Sequence, residues 1–234
     1  MIERRPLSSL GYANHGWLEA RHHFSFASYE DPGRDNWGAL RVWNDDTIQP
    51  GTGFSPHPHA NMEIITYVRE GAITHQDNLG NKGKTVAGDV QVMSAGTGIG
   101  HAEFNLEPCV TRIFQIWIVP DQRGGQPSWG AKPFPKDDRS GRFIALASGL
   151  ADDTEALPIR ANARVTGATL NPGETVEYRF ADASRLGYLV AARGRVTVNG
   201  IALDAQDGAA ISGELSITVT AEEAAELVLV DVAG

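Results

Sequence analysis

The residues of this chain best suited to chemistry fall in two short clusters. His57 and His59 lie in Gly53-Phe-Ser-Pro-His-Pro-His59, and His101 and Glu103 lie in Gly100-His-Ala-Glu103. Each is a pair at i and i+2, the spacing that puts two side chains on one face of a β-strand. Three imidazoles and a carboxylate converging from two strands make a mononuclear metal site. Pro58 fixes its own φ and biases His57 toward an extended backbone, so the first pair is held in a conformation that aims both rings the same way. A lone histidine is usually a hydrogen-bonded core or surface residue, but two spaced pairs flanked by glycines argue for a metal. Three nitrogens and one carboxylate suit Fe(II), Mn, Co, Ni, Cu or Zn, and the lack of thiolate ligands argues against a structural zinc site.

The elements that must carry these pairs are short and β-rich. The chain has 26 glycines and 12 prolines, spread along its length as an all-β protein of hairpins and tight turns requires. Ala39–Trp43 alternates and reads as a strand, closed by a turn at Asn44-Asp45-Asp46. Further strands are expected over 62–68, 72–76, 89–93, 101–104 and 112–119. Strands at such spacing point to a sandwich or barrel. Between Pro120 and Gly141 apolar residues thin out, which marks a linker. The β pattern then resumes over 142–146, 163–170, 186–191, 194–200, 209–212, 215–219 and 226–230. Thr66-Tyr-Val-Arg-Glu-Gly71 with the later Gly88-Asp89 is echoed by Gly187-Tyr-Leu-Val-Ala-Ala-Arg-Gly194 with Asp207-Gly208, so the halves read as a diverged repeat. All seven histidines lie at or before His101, which confines imidazole chemistry to the first half. Two domains are expected, a metal-binding one over 1–136 and one without metal ligands over 137–234.

The whole-chain balance narrows the function classes. A formal charge of -9 disfavours binding to a nucleic-acid backbone as the main activity. No segment approaches the roughly 20 apolar residues of a membrane span, and the residues after Met1-Ile-Glu-Arg-Arg-Pro6 are not those of a secretory leader, so a cytoplasmic location is expected. The single Cys109 is consistent with a reducing compartment and reads as a buried small hydrophobe.

The order Gly51, His57-Pro-His59, Glu63, Gly71, followed by Gly88-Asp89 and His101, resembles the two sequence motifs of the cupin superfamily, small antiparallel barrels that hold a metal in their mouth. His57-Pro-His59, Gly80-Asn81, Met93-Ser-Ala-Gly-Thr-Gly-Ile-Gly-His-Ala-Glu103 and Arg21-His-His-Phe-Ser-Phe26 together resemble the pirin family. Among its members the chain is most similar to the short bacterial two-cupin type described as quercetin 2,3-dioxygenases. The resemblance spans the full length and is specific over residues 10 to 120. It implies an all-β bicupin fold of two antiparallel jelly-roll domains, with His57, His59, His101 and Glu103 as metal ligands and iron(II) as the metal. The wider superfamily often uses the glutamate that would be Glu63. Glu103 shares a strand face with His101 and is the expected ligand, with Glu63 hydrogen-bonding a ligand imidazole or serving as the fallback base.

Other motifs read as structure. Gly80-Asn-Lys-Gly-Lys84-Thr85 nearly spells a phosphate-binding loop, but Asn78 stands where its first glycine belongs, and a hairpin turn is expected. Gly96, Gly98 and Gly100 lack the spacing and the βαβ context of a dinucleotide site. His22 and His23, beside Phe24 and Phe26, are expected to pack, and His15 and His75 have no assigned role. The acidic doublets Asp45-Asp46, Asp137-Asp138, Asp152-Asp153 and Glu222-Glu223 read as solvated.

The function that the resemblance implies is a metal-dependent dioxygenase that opens the heterocyclic ring of a flavonol with O2 and releases CO. The metal would acidify the flavonol hydroxyl, Glu103 would take its proton, and Trp37, Trp43, Phe54 or Phe104 would wall the substrate. The alternative is a metal-bound regulatory module that binds a protein partner. A monomer is expected.

Overall fold

A computed structural model describes residues 1–234. The period-2 patterning becomes strands throughout: there is no α-helix, only short 3-10 turns at Leu7–Ser9 and Lys136–Arg139. The first strands are β1 (Ile2–Arg5), β2 (Gly11–Asn14), β3 (Leu18–His22), β4 (Leu40–Ile48), β5 (Thr52–His59) and β6 (Glu63–Glu70). They are followed by β7 (Ala72–Asp77), β8 (Lys82–Val86), β9 (Val90–Ser94), β10 (Ile99–Asn105), β11 (Thr111–Ile118) and β12 (Ser128–Lys132). The second half holds β13 (Ile144–Ser148), β14 (Leu157–Pro158), β15 (Ala163–Leu170), β16 (Thr175–Arg179) and β17 (Leu186–Arg193). It ends with β18 (Val196–Val198), β19 (Ile201–Leu203), β20 (Gly208–Ser212), β21 (Ser216–Ala221) and β22 (Ala225–Val232).

The repeat read from the sequence is a repeat of topology. The first half pairs a seven-stranded sheet, β12-β9-β6-β11-β4-β3-β2, with a four-stranded one, β5-β10-β7-β8. The second half repeats the order as β1-β20-β17-β22-β15-β13-β14 and β16-β21-β18-β19. Gly71 and Gly194, which anchor the echoed segments, turn the chain at equivalent points with φ of 74° and 77°. The N-terminal strand β1 belongs to the second sheet, where it pairs with β20 as β12 pairs with β9 in the first. The stretch expected as a bare linker thus contributes β12 and the buried Arg139.

Apolar packing differs between the halves in a way that creates the site. Facing surfaces of the two large sheets share a cluster of 24 buried residues, among them Trp43, Ile65 and Phe114 from the first half and Tyr188, Val190 and Val228 from the second. The second half fills its own interior with 18 buried apolar residues. The first half has only clusters of six and four around an open interior.

Two expectations are corrected. Asn44-Asp45-Asp46 is no turn and its acids are not solvated: all three are buried in the middle of β4, between β11 and β3. The strand tolerates them because Asp45 accepts from Arg69 and from Gln206 at 2.7 Å, while Asn44 accepts from His22 at 2.8 Å. Cys109 is exposed, in the turn between β10 and β11, where its carbonyl is held by Asn105 at 2.8 Å.

Candidate metal centre

The two histidine clusters meet because β5 and β10 pair with His101 opposite His57 and Ile99 opposite His59. β5 is the outer strand of its sheet, which is why it can hold Pro56 and Pro58 without losing ladder bonds. The register slips between His101 and Glu103, so that Glu103 stands opposite Phe54. Gly53 makes the close approach there, since a Cβ on it would meet the Glu103 carbonyl oxygen at 2.2 Å. The rings of His57, His59 and His101 form a triangle with centroids 4.5 to 5.0 Å apart, and their ligand atoms fall within 4.8 Å of one another.

Hydrogen bonding fixes which nitrogen of His57 is free. Its Nδ1 lies 2.8 Å from the Ser55 carbonyl, an acceptor only, so Nδ1 carries the proton and Nε2 presents a lone pair. That Nε2 stands 3.1 Å from Nε2 of His101. Burial, then the neighbouring imidazoles, push His101 down to about 3 and His59 to about 4, so both rings are neutral at physiological pH, the form that binds metals. Nitrogens crowded this closely fit a shared cation, with metal–nitrogen bonds of about 2.0–2.1 Å spanning the gap.

Glu103 sits beside His101 on the same strand face, 1% exposed. Gln91 Nε2 donates to its Oε1 at 2.6 Å, Thr66 Oγ1 to the same oxygen at 3.1 Å, and Gln115 Nε2 to Oε2 at 2.7 Å. The three donors fix the carboxylate in orientation and leave lone pairs for a cation. Glu103 joins His101 and His75 within 4.8 Å but falls outside that limit for the three-histidine group. Glu63 is apart from both groups: it accepts from Ser94 at 2.5 Å and does not line the cavity.

The centre opens into a cavity of about 730 Å³. Phe54 is the one expected aromatic that lines it, joined by Trp17, Phe26 and Trp117; Trp37, Trp43 and Phe104 lie elsewhere. His22 and His23 divide, for His22 faces the cavity while His23 packs against Tyr188 of the second half, 2.9 Å from its hydroxyl. Asp46 also lines the cavity, 2% exposed and with no partner for Oδ1. Burial, then Asp45 and Glu103, hold its carboxyl well above the usual range.

Sequence reasoning missed Asp46, the donors around Glu103, and His75 with Asp77. The last two form a third i, i+2 pair on β7, a signal that was present in the sequence. The second half carries apolar residues at the equivalent positions. Where Thr66 pairs with Gln91 and Gln115, the equivalent strands pair Leu189 with Ala209 and Leu229. Where His75 faces Glu103, Val198 faces Val219.

Comparison with known proteins agrees with this geometry. Residues 3–118 match the family described as Pirin, and residues 145–232 match the Quercetinase C-terminal cupin domain. The chain is 70% identical over 233 residues to a pirin-like protein of Caulobacter vibrioides, covering all of both chains. It is 40% identical to a quercetin 2,3-dioxygenase of Escherichia coli, covering 99% of this chain and 98% of that one. The crystal structure of the bacterial pirin YhhW of Escherichia coli in complex with nickel(II) superimposes with a TM-score of 0.92 at 38% identity, covering 100% and 99% of the two chains. The expected all-β bicupin architecture is borne out, and no helix of the chain is long and apolar enough to cross a membrane.

Proposed function

Because the chain belongs to the pirin family, we propose that it is a metal-dependent dioxygenase that opens the heterocyclic ring of a flavonol such as quercetin with O2, releasing CO. The observation that carries this reading is a cluster of three imidazoles, with a carboxylate beside it, at the wall of a cavity lined by Trp17, Phe26, Phe54 and Trp117. In this reading His57, His59, His101 and Glu103 hold the metal, iron(II) first among the candidates, and residues 137–234 form the domain without one. The metal would supply Lewis acidity toward a substrate hydroxyl and a centre at which O2 can react.

The chain's own residues do the rest. The aromatic walls hold a flat substrate and keep water from the reacting face. Gln91, Thr66 and Gln115 hold Glu103 fixed in orientation. In this reading Glu103 also takes the proton of the substrate hydroxyl, and Asp46 stands in the same cavity as an uncharged carboxyl.

The test is direct. The protein is purified, its metal measured by elemental analysis, and flavonol absorbance followed together with O2 uptake and CO release. Loss of flavonol with matched O2 consumption and CO release is the expected result. A metal-replete protein that leaves flavonols untouched would overturn the proposal and favour a regulatory, protein-binding role.

A further inference from the structure

Behind His101, away from the cavity, β7 places Asp77 opposite His101 and His75 opposite Glu103. His75 is fully buried and stacked on Trp129, with centroids 4.8 Å apart and planes at 7°. Its Nε2 lies 3.0 Å from Asp77 Oδ2, and its Nδ1 lies 3.3 Å from Nδ1 of His101. Neither His75 nor Asp77 lines the cavity. We infer that His75 and Asp77 are a positioning pair that sets the tautomer of His101 and so presents its Nε2 lone pair to a metal. The inference rests on the reading of His57, His59 and His101 as ligands.

The chain of donors runs in one direction only. Asp77 receives the backbone N–H groups of Leu79 at 2.9 Å and Asn81 at 3.0 Å on Oδ1, and the Asn81 amide at 2.9 Å on Oδ2. Surrounded by donors, it acts as an acceptor, so His75 must donate to it from Nε2. A neutral His75 then has only a lone pair at Nδ1. The facing Nδ1 of His101 must supply the proton between them, which strips Nε2 of His101 and leaves it as a ligand atom. His57 reaches the same state through the Ser55 carbonyl. Two lone pairs then face each other at 3.1 Å, an arrangement that a cation relieves.

His75, His101 and Glu103 also bring their donor atoms within 4.8 Å. An ion seated there would have to break the His75–His101 hydrogen bond, in a place with no access to the cavity through His75. The positioning role requires none of this.

The experiment reads the tautomer and the affinity separately. Long-range proton–nitrogen correlation spectra of the ¹⁵N-labelled, metal-free protein report which imidazole nitrogen carries hydrogen. His101 is expected as the Nδ1–H form. In Asp77→Asn the new amide donates to His75 Nε2, reverses the chain and moves His101 toward Nε2–H. Nickel(II) affinity, measured by competition with a chelator, should fall about 10–100-fold in Asp77→Asn and His75→Phe. His75→Gln leaves the Asp77 turn untouched and offers an acceptor to His101, and should recover most of the affinity that His75→Phe loses. An Nε2–H His101 in the metal-free parent, or parental affinity in both Asp77→Asn and His75→Phe, would overturn the inference. A parent that binds no nickel(II) overturns the ligand reading instead, and the tautomer spectra still decide the role of His75 and Asp77.

Discussion

Asp46 and Glu103 are two buried carboxyl groups that line one cavity in different surroundings. Glu103 has three donors and Asp46 Oδ1 has none, so their substitutions should act differently on the metal. Glu103→Gln should weaken metal binding and flavonol turnover together. Asp46→Asn should keep the metal and most of the turnover, since the amide replaces a carboxyl that is already uncharged. Stability gives an independent check on Asp46. Its folded pKa is raised, so as pH climbs above the ordinary carboxyl range the unfolded chain releases a proton that the folded one still holds, and stability falls. In the metal-free protein Asp46→Asn should therefore gain on the parent with rising pH, by about 1–3 kcal/mol at neutrality, in urea titrations at pH 4 and pH 7. An equal gain at both values would show that Asp46 is not held protonated. The sequence revealed His57, His59, His101 and Glu103 because i, i+2 spacing is local to one strand. It concealed Asp46 because Asn44-Asp45-Asp46 has the composition of a turn, and only pairing between β3 and β11 makes it a strand.

At the level of elements, the site depends on which strands carry polar residues inward. Thr66 on β6, Gln91 on β9 and Gln115 on β11 form a row across three paired strands that ends on Glu103. Their counterparts Leu189, Ala209 and Leu229 lie in an apolar interior, so the shared fold itself accepts leucine in place of Thr66 and Gln115 and alanine in place of Gln91. Gln115→Leu should fold and retain its thermal stability in metal-free form, yet lose about tenfold or more in metal affinity, since Glu103 is left held by Thr66 and Gln91 alone. Chelator competition and thermal melts of the same sample check both halves of this expectation. The row was illegible in sequence because glutamines and threonines on strands carry no spacing signal of their own. His75 and Asp77 do carry one, but the expected strand stopped at Gln76 and separated the pair. Strand order, by contrast, was legible only as a repeat of glycines. The edge position of β5, which makes room for two prolines in the ligand strand, emerges from pairing alone.

The whole molecule is joined across its two halves by more than the linker. β1 crosses into the second sheet, and Arg5, 2% exposed, lies 5.5 Å from the ring centroids of Phe24 and Tyr188. A four-residue strand of mixed polarity at one end of the chain gives the sequence no hint of that destination. Removal of residues 1–5 exposes the edge of β20 and should cost at least about 2 kcal/mol. Calorimetry should still show one transition, because the 24-residue cluster belongs to both halves. A second contact makes the joint sensitive to acid. His23 is buried at the same interface with Nδ1 beside the Tyr188 hydroxyl and Nε2 without a partner, and burial, then Arg5, push it down to about 3. The folded protein holds His23 neutral while the unfolded chain protonates it near pH 6.5, so this contribution is complete above 6.5 and is lost as pH falls toward 3. His23→Gln keeps an acceptor for Tyr188 and cannot titrate. The variant should be less stable than the parent at pH 8 but lose stability more slowly on acidification, by up to about 1.4 kcal/mol per pH unit between pH 6 and 4. Urea titrations of both proteins in metal-free form measure that difference in slope, and parallel curves would mean that His23 gains its proton without the halves coming apart.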